Sequence, residues 1–188
     1  MRLFHLSDLH IGKRVNEFSM IEDQKYILER ILDLAEKEMP DGVILAGDIY
    51  DKQIPSAEAV QVFDEFITKL AERKFPVFVI SGNHDSAERL AFGGRLLNSR
   101  GIYLSPVYDG TVMKIPIADQ YGTVWIHLLP FIRPAAVRRV FEDESDLITD
   151  VQSAVRAVIS HMEIDPNERN ILVAHQFVTG ASRCESED

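Results

Sequence analysis

Two unbroken apolar runs, Val43-Ile44-Leu45-Ala46 and Phe75-Pro76-Val77-Phe78-Val79-Ile80, constrain the fold more than any other feature of this chain. A strand with one wet face alternates polar and apolar residues. A run without alternation belongs to a strand covered on both faces. The segments between such runs have helical spacing. From Gln24 to Met39 the apolar residues Ile27, Leu28, Ile31, Leu32, Leu34 and Ala35 recur at helical spacing, and Pro40-Asp41-Gly42 ends the pattern. Pro55-Ser56 opens a second helix, with Ser56 as its cap and Val60, Phe63, Phe66, Ile67 and Leu70 as its apolar positions. Leu3 to Leu6 reads as a short strand, and Ser86 to Asn98 as a helix weakened by Gly93-Gly94. Strand–helix–strand–helix–strand is the pattern of a parallel α/β sheet.

From Ile102 the character changes. Val112 to Ile117 and Thr123 to Leu129 read as strands joined by a turn near Gln120-Tyr121-Gly122, which favours antiparallel pairing. Pro134 to Phe141 and Ser145 to Met162 read as helices. Asn170 to Ala174 reads as a last buried strand, followed by a polar, acidic tail from Ser182 to Asp188.

At 188 residues the chain is one domain or part of a larger one. Its formal net charge of −10 argues against non-specific attraction to nucleic acid by the chain as a whole, leaves room for a local basic patch, and suits a carboxylate site neutralised by cations. The one cysteine, Cys184, rules out a disulfide within the chain and fits a reducing compartment; it sits in a polar tail with nothing to mark it as a nucleophile. Met1 to Leu6 leads straight into a strand, without the apolar stretch of a signal peptide, and no run approaches the ~20 residues of a membrane span. A cytoplasmic location is the expectation, with no membrane contact.

Polar groups gather where the buried strands end: Asp8 and His10, then Asp48 and Asp51, then Asn83 and His84, then His175. Ligand sites in open α/β sheets form at that edge. Each cluster alone is commonly a turn or a loop; their joint occurrence, each after a buried strand, favours a metal centre. Carboxylates, imidazoles and one amide oxygen suit manganese, iron or zinc better than magnesium. Asp48 can bridge two cations with its two oxygens. Asn83 reads as a metal ligand and His84 as a group facing a phosphate, acting by charge stabilisation or by proton delivery. His5, His127 and His161 fall within regular elements and are assigned no chemistry. Phe63, Phe66 and Phe92 read as core or partner-facing helix residues.

Asp8-x-His10, Gly47-Asp48-x-x-Asp51, Gly82-Asn83-His84-Asp85 and the later His175 together resemble the calcineurin-like metallophosphoesterases. The stretches FHLSDLHIGK, GDIYDKQIPSAEAV, SGNHDSAERLAF and AHQFVTGA narrow the resemblance to SbcD-type nuclease subunits of bacterial DNA repair. The resemblance implies an α/β fold built as a two-sheet β sandwich flanked by helices. It implies Asp8 and His10 on a first metal, Asp48 on both, and Asn83 and His175 on the second. His84 would be the catalytic imidazole that binds no metal, and Asp51 would orient it. The metal would be manganese (two Mn2+ ions in the complete protein), the activity exonuclease and endonuclease cleavage of DNA, and the partner an SbcC-type coiled-coil ATPase. Family members dimerise through helices that correspond here to 56–73 and 86–98, with Leu90, Phe92 and Leu96 as contacts.

One feature of the family is missing. Its last motif, Gly-His-x-His, supplies one more histidine to each metal, and none of the six histidines here follows His175. Residues 1–188 therefore read as an incomplete metallophosphoesterase domain with incomplete metal sites and weak or absent nuclease activity. A phosphatase or cyclic-nucleotide phosphodiesterase of the same superfamily is the alternative, and a non-catalytic scaffold the third possibility. Lys13, Arg14, Lys52, Arg89 and Arg133 are candidates to face DNA phosphates, with ordinary solvated charge an equal reading of each.

Overall fold

The computed structural model describes residues 1–176. Cys184, the acidic tail and the AHQFVTGA stretch past Gln176 lie outside the described residues. Four short parallel strands form the first sheet: β1 (Leu3–Leu6), β4 (Gly42–Ala46), β5 (Val77–Ile80) and β6 (Ile102–Leu104), side by side in that order. Between β1 and β4 the chain makes a small antiparallel hairpin, β2 (Arg14–Val15) with β3 (Phe18–Ser19). It then runs through helix α1 (Ile21–Glu38). Helix α2 (Ala57–Glu72) connects β4 to β5, and Ser56 caps it by accepting from the Ala59 N–H.

The unbroken apolar runs follow from what covers each face. Val43, Leu45, Val77 and Val79 join the core with Leu28, Leu32, Val62, Phe66 and Leu70 of α1 and α2. Their neighbours Ile44, Ala46, Phe78 and Ile80 point the other way, into a second core. The strand period of two sends successive residues to opposite faces, so a sheet covered twice needs apolar residues throughout. Each buried aliphatic side chain there is worth about 1.5–3 kcal/mol.

The second cover is another sheet, of β7 (Met113–Asp119), β8 (Gly122–Leu128) and β9 (Arg169–Val173), in that order. β7 and β8 pair antiparallel as expected, and β9 joins β8 in parallel. Pro116 is tolerated because β7 is an edge strand, where a missing N–H costs no ladder bond. Ile115, Ile126, Leu128 and Val173 close the sandwich. Helices α5 (Pro134–Val140) and α6 (Val151–Ser160) pack a third core around Leu129, Ile132 and Val137.

Several expected elements are corrected. The helix expected over 86–98 is two single turns, α3 (Ala87–Leu90) and α4 (Gly94–Leu97), followed by a 3₁₀ turn. The break is at Gly93, which takes the left-handed conformation (φ 76°) that side-chain-bearing residues resist. The helix expected over 145–162 starts only at Val151. Asp150 accepts from the Ser153 N–H and the Ser153 hydroxyl reaches back to the Asp150 backbone, a reciprocal cap that fixes the start. β9 is only partly buried, and Val60 of α2 faces solvent. Leu90 is withdrawn as a dimer contact because it is buried in the first core, whereas Phe92 and Leu96 are 85% and 79% exposed. Phe63 and Phe66 are core residues. Among the described residues, no helix is long and apolar enough to cross a membrane.

Candidate metal centre

The loops after β1, β4 and β5 and the residues after β9 meet at one end of the sandwich. Backbone bonds fix the first two: Asp8 N–H donates to the Gly47 carbonyl (3.1 Å), His10 N–H to that of Asp48 (2.9 Å), and Ile11 N–H to that of Ile49 (2.9 Å). Asp8, His10 and Asp48 all have positive φ, 57°, 43° and 49°. Such conformations cost energy in side-chain-bearing residues and persist where surrounding structure holds them. Three candidate ligands are thus aimed by strained backbone.

Asp48 is the hub. Its carboxylate is buried, and its Oδ1 accepts from the His84 N–H at 2.9 Å. Its Oδ2 lies 3.5 Å from His175 Nε2, 3.7 Å from His10 Nε2 and 4.0 Å from His84 Nε2. Asp8 Oδ1 lies 3.8 Å from His10 Nε2. Asn83 Oδ1 lies 3.2 Å from His175 Nε2. Among the described residues, two groups could hold an ion, His10 with Asp48 and His84, and Asp8 with Asp48 and His175; they share Asp48. The grouping places Asp8 beside His175 and His84 beside His10, so proximity alone does not separate ligands from the imidazole expected to stay free.

The imidazoles are held from behind. His175 Nδ1 is 2.7 Å from the Ala46 carbonyl, and His84 Nδ1 is 3.1 Å from the Asp51 carbonyl. A carbonyl only accepts, so each Nδ1 carries the proton and each Nε2 is left as the inward-facing donor atom for a metal or a proton. Asp51 was expected to orient His84, and it does meet that ring, through its main chain. Its carboxylate lies instead 3.7 Å from His10 Nδ1, a buried nitrogen without a hydrogen-bond partner among the described residues. That orphaned nitrogen, backed by a carboxylate, fits a ring whose Nε2 is reserved for a metal.

The electrostatics agree with this geometry. Burial works to raise the Asp48 pKa, but the bonds from His175 and His84 and their charges outweigh it and hold the carboxyl below its usual range. His175 is raised above the ordinary imidazole value by its bond to Asp48, against the opposing effect of burial. Without a cation, the bond to Asp48 favours the protonated form of His175. A cation supplying that charge would release the proton, as imidazole ligation requires. Asp8, His10, Asp48, Asn83 and His175 would hold it.

Asp85 closes the Gly-Asn-His-Asp turn, and its residue type alone assigns it no role. It is buried, and its carboxylate accepts from the N–H groups of Ile49 (3.1 Å), Tyr50 (2.9 Å) and Gly82 (2.8 Å). It fastens the loop carrying Asp48 to the loop carrying Asn83 and His84. Burial pushes its carboxyl up, only partly offset by those three bonds. Its place directly after His84 is the only signal of this in the sequence. Lys13, Arg14, Lys52, Arg89 and Arg133 are all at least partly exposed. His127 is buried against the Asn170 amide oxygen (2.9 Å), and His161 stacks on Phe141 beside Glu144, so both are structural.

A sandwich of a parallel and a mixed sheet, with a carboxylate shared between imidazole clusters at one end, is the architecture of a metallophosphoesterase. All of residues 1–188 match the calcineurin-like phosphoesterase family, and the chain belongs to it. It is similar to the SbcD component of the SbcCD nuclease from Staphylococcus epidermidis and from Staphylococcus saprophyticus, 35% identical to each over 190 residues. The match covers all of this chain and 49% of each relative, so the chain spans about half their length.

Proposed function

We propose that this chain is the metal-binding part of a manganese-dependent DNA nuclease that cleaves phosphodiester bonds as an exonuclease and endonuclease in double-strand-break processing. The observation that carries the reading is Asp48, whose carboxylate stands within 4.0 Å of three imidazoles from three separate loops. The mixed oxygen and nitrogen donors favour manganese over magnesium. The substrate follows the two nuclease components it resembles.

Metal bound there would supply polarisation of a phosphate and a water molecule of lowered pKa. The side chains have separable tasks. Asp48 would be shared between the two ions, Asp8 and His10 would hold one, and Asn83 and His175 would hold the other. His84, pinned at Nδ1 by the Asp51 carbonyl, presents Nε2 to the phosphate. It stabilises charge on an oxygen or gives a proton to the leaving one. The remaining ligands are assigned to a Gly-His-x-His segment that this sequence does not contain. The partners are DNA, an SbcC-type coiled-coil ATPase and a second copy of the chain, docked through 56–73 and 86–98 with exposed Phe92 and Leu96.

The test uses full-length protein with manganese, on linear duplex DNA and on a small phosphodiester, beside His84→Ala. DNA cleavage by the wild type that is lost in His84→Ala, with metal content unchanged, supports the proposal. Cleavage of the small ester alone favours a phosphatase or cyclic-nucleotide phosphodiesterase. No hydrolysis with full metal occupancy favours a scaffold.

A further inference from the structure

Gln24 lies in the first turn of α1, outside the ligand cluster, and its side-chain amide is engaged on the loop that carries Asp8 and His10. Its Nε2 donates to the Leu9 carbonyl (3.1 Å) and to the His10 carbonyl (2.8 Å), and its Oε1 accepts from the Gly12 N–H (2.9 Å). An amide nitrogen has two hydrogens, and both are used. The reverse orientation would set oxygen against two carbonyls and nitrogen against an N–H. The Leu9 carbonyl belongs to the peptide group before the His10 Cα, and the His10 carbonyl to the one after it. One nitrogen therefore holds both peptide planes that define the His10 backbone. That backbone has a φ of 43°, a conformation that side-chain-bearing residues resist. The support behind Gln24 is firm, because Ile21 and Leu28 on either side of it in α1 are buried in the first core.

We infer that Gln24 is a positioning residue of the metal centre. It holds His10 in the left-handed conformation that brings its Nε2 to 3.7 Å from Asp48 Oδ2 and 3.8 Å from Asp8 Oδ1. It thereby sets the affinity for the ion assigned to Asp8 and His10 and leaves the ion assigned to Asn83 and His175 unaffected. The inference rests on the two-cation reading of the centre. A ligating ring works only when held within about 0.5 Å of its productive place, and a strained backbone left to itself relaxes away from that place. The task suits glutamine in particular. Glutamate keeps the acceptor for Gly12 but turns a second oxygen toward two carbonyls, and methionine keeps the length without any of the three bonds.

Manganese titration of the full-length protein, followed by electron paramagnetic resonance, tests this. The wild type is expected to give a spin-coupled pair. In Gln24→Met and Gln24→Glu one ion should bind at the wild-type affinity with an isolated-ion signal. The coupled spectrum should return only at roughly 10–100-fold more manganese, the usual worth of a residue that orients a metal ligand. Leu32→Val, a core change farther along the same helix, should lower the urea midpoint and leave both affinities at the wild-type level. A coupled pair at wild-type manganese concentrations in both Gln24 variants overturns the positioning role while the two-cation reading stands. Equal weakening of both ions, or the same loss in Leu32→Val, overturns it too. No coupled pair in the wild type at saturating manganese overturns both.

Discussion

Gly82 and Asp48 stand so close that a methyl group on Gly82 would lie 2.1 Å from Asp48 Oδ1 and 2.3 Å from its backbone nitrogen. The obstacle is partly main chain, so a side chain there cannot be accommodated by a rotamer change. Gly82→Ala is expected to push the two ligand loops apart, costing about 1–3 kcal/mol of stability and weakening metal binding more than a distant mutation of equal cost. Urea denaturation and a manganese titration on the same protein measure the two effects.

Asp85 gives a second prediction. Removing its carboxylate strands the N–H groups of Ile49, Tyr50 and Gly82 away from water. Asp85→Ala should cost on the order of 3 kcal/mol, read as a lower urea midpoint without added metal. Asp85→Asn keeps the shape but turns an amide N–H toward one of the three donors, and should fall between wild type and Asp85→Ala.

Much of this was legible in the sequence, for a physical reason. A strand buried on both faces cannot hide its pattern, so Val43–Ala46 and Phe75–Ile80 revealed the central sheet and, with it, where Asp48, Asn83 and His84 emerge. The capping residue Ser56 marked α2 as cleanly. The segment 86–98 failed because one glycine in a left-handed conformation outweighed its helical spacing. The start of α6 failed because apolar spacing carries no sign of a side-chain cap at Asp150. Asp85 was missed because its partners are backbone N–H groups, two of them from another loop, which leave no trace in residue identity. The carboxylate of Asp51 turned toward His10, a choice that depends on where two loops cross.

A third prediction concerns pH and lies away from the metal centre. Asp119 takes two bonds from the Arg169 guanidinium (2.7 and 3.1 Å), one from the Tyr121 N–H (2.8 Å), and an ion pair with the amino terminus (3.2 Å). Arg169 first, then the Tyr121 N–H, hold its carboxyl well below the usual carboxylate range. A folded pKa below the unfolded value of 3.8 stabilises the fold above that pH, and the contribution is lost as pH falls through the folded value. The melting-temperature gap between wild type and Asp119→Asn should therefore be constant at neutral pH and close only in strong acid. A gap that widens on acidification contradicts this.

The separation of roles around the phosphate gives a fourth. His84→Ala should keep its manganese and lose hydrolysis by roughly 10²–10⁴-fold, the usual worth of a positioned acid or base. Asn83→Ala should lose manganese affinity first, and part of its activity should return at raised metal concentration. Metal analysis by mass spectrometry beside the hydrolysis rate distinguishes the two patterns.

The central claim is that Asp48 joins two cations in one centre, and electron paramagnetic resonance of the manganese-loaded, full-length protein tests it most directly. A spin-coupled manganese pair is expected in the wild type, replaced by isolated-ion signals, or lost, in Asp48→Asn. The same uncoupled spectrum from both proteins would contradict it.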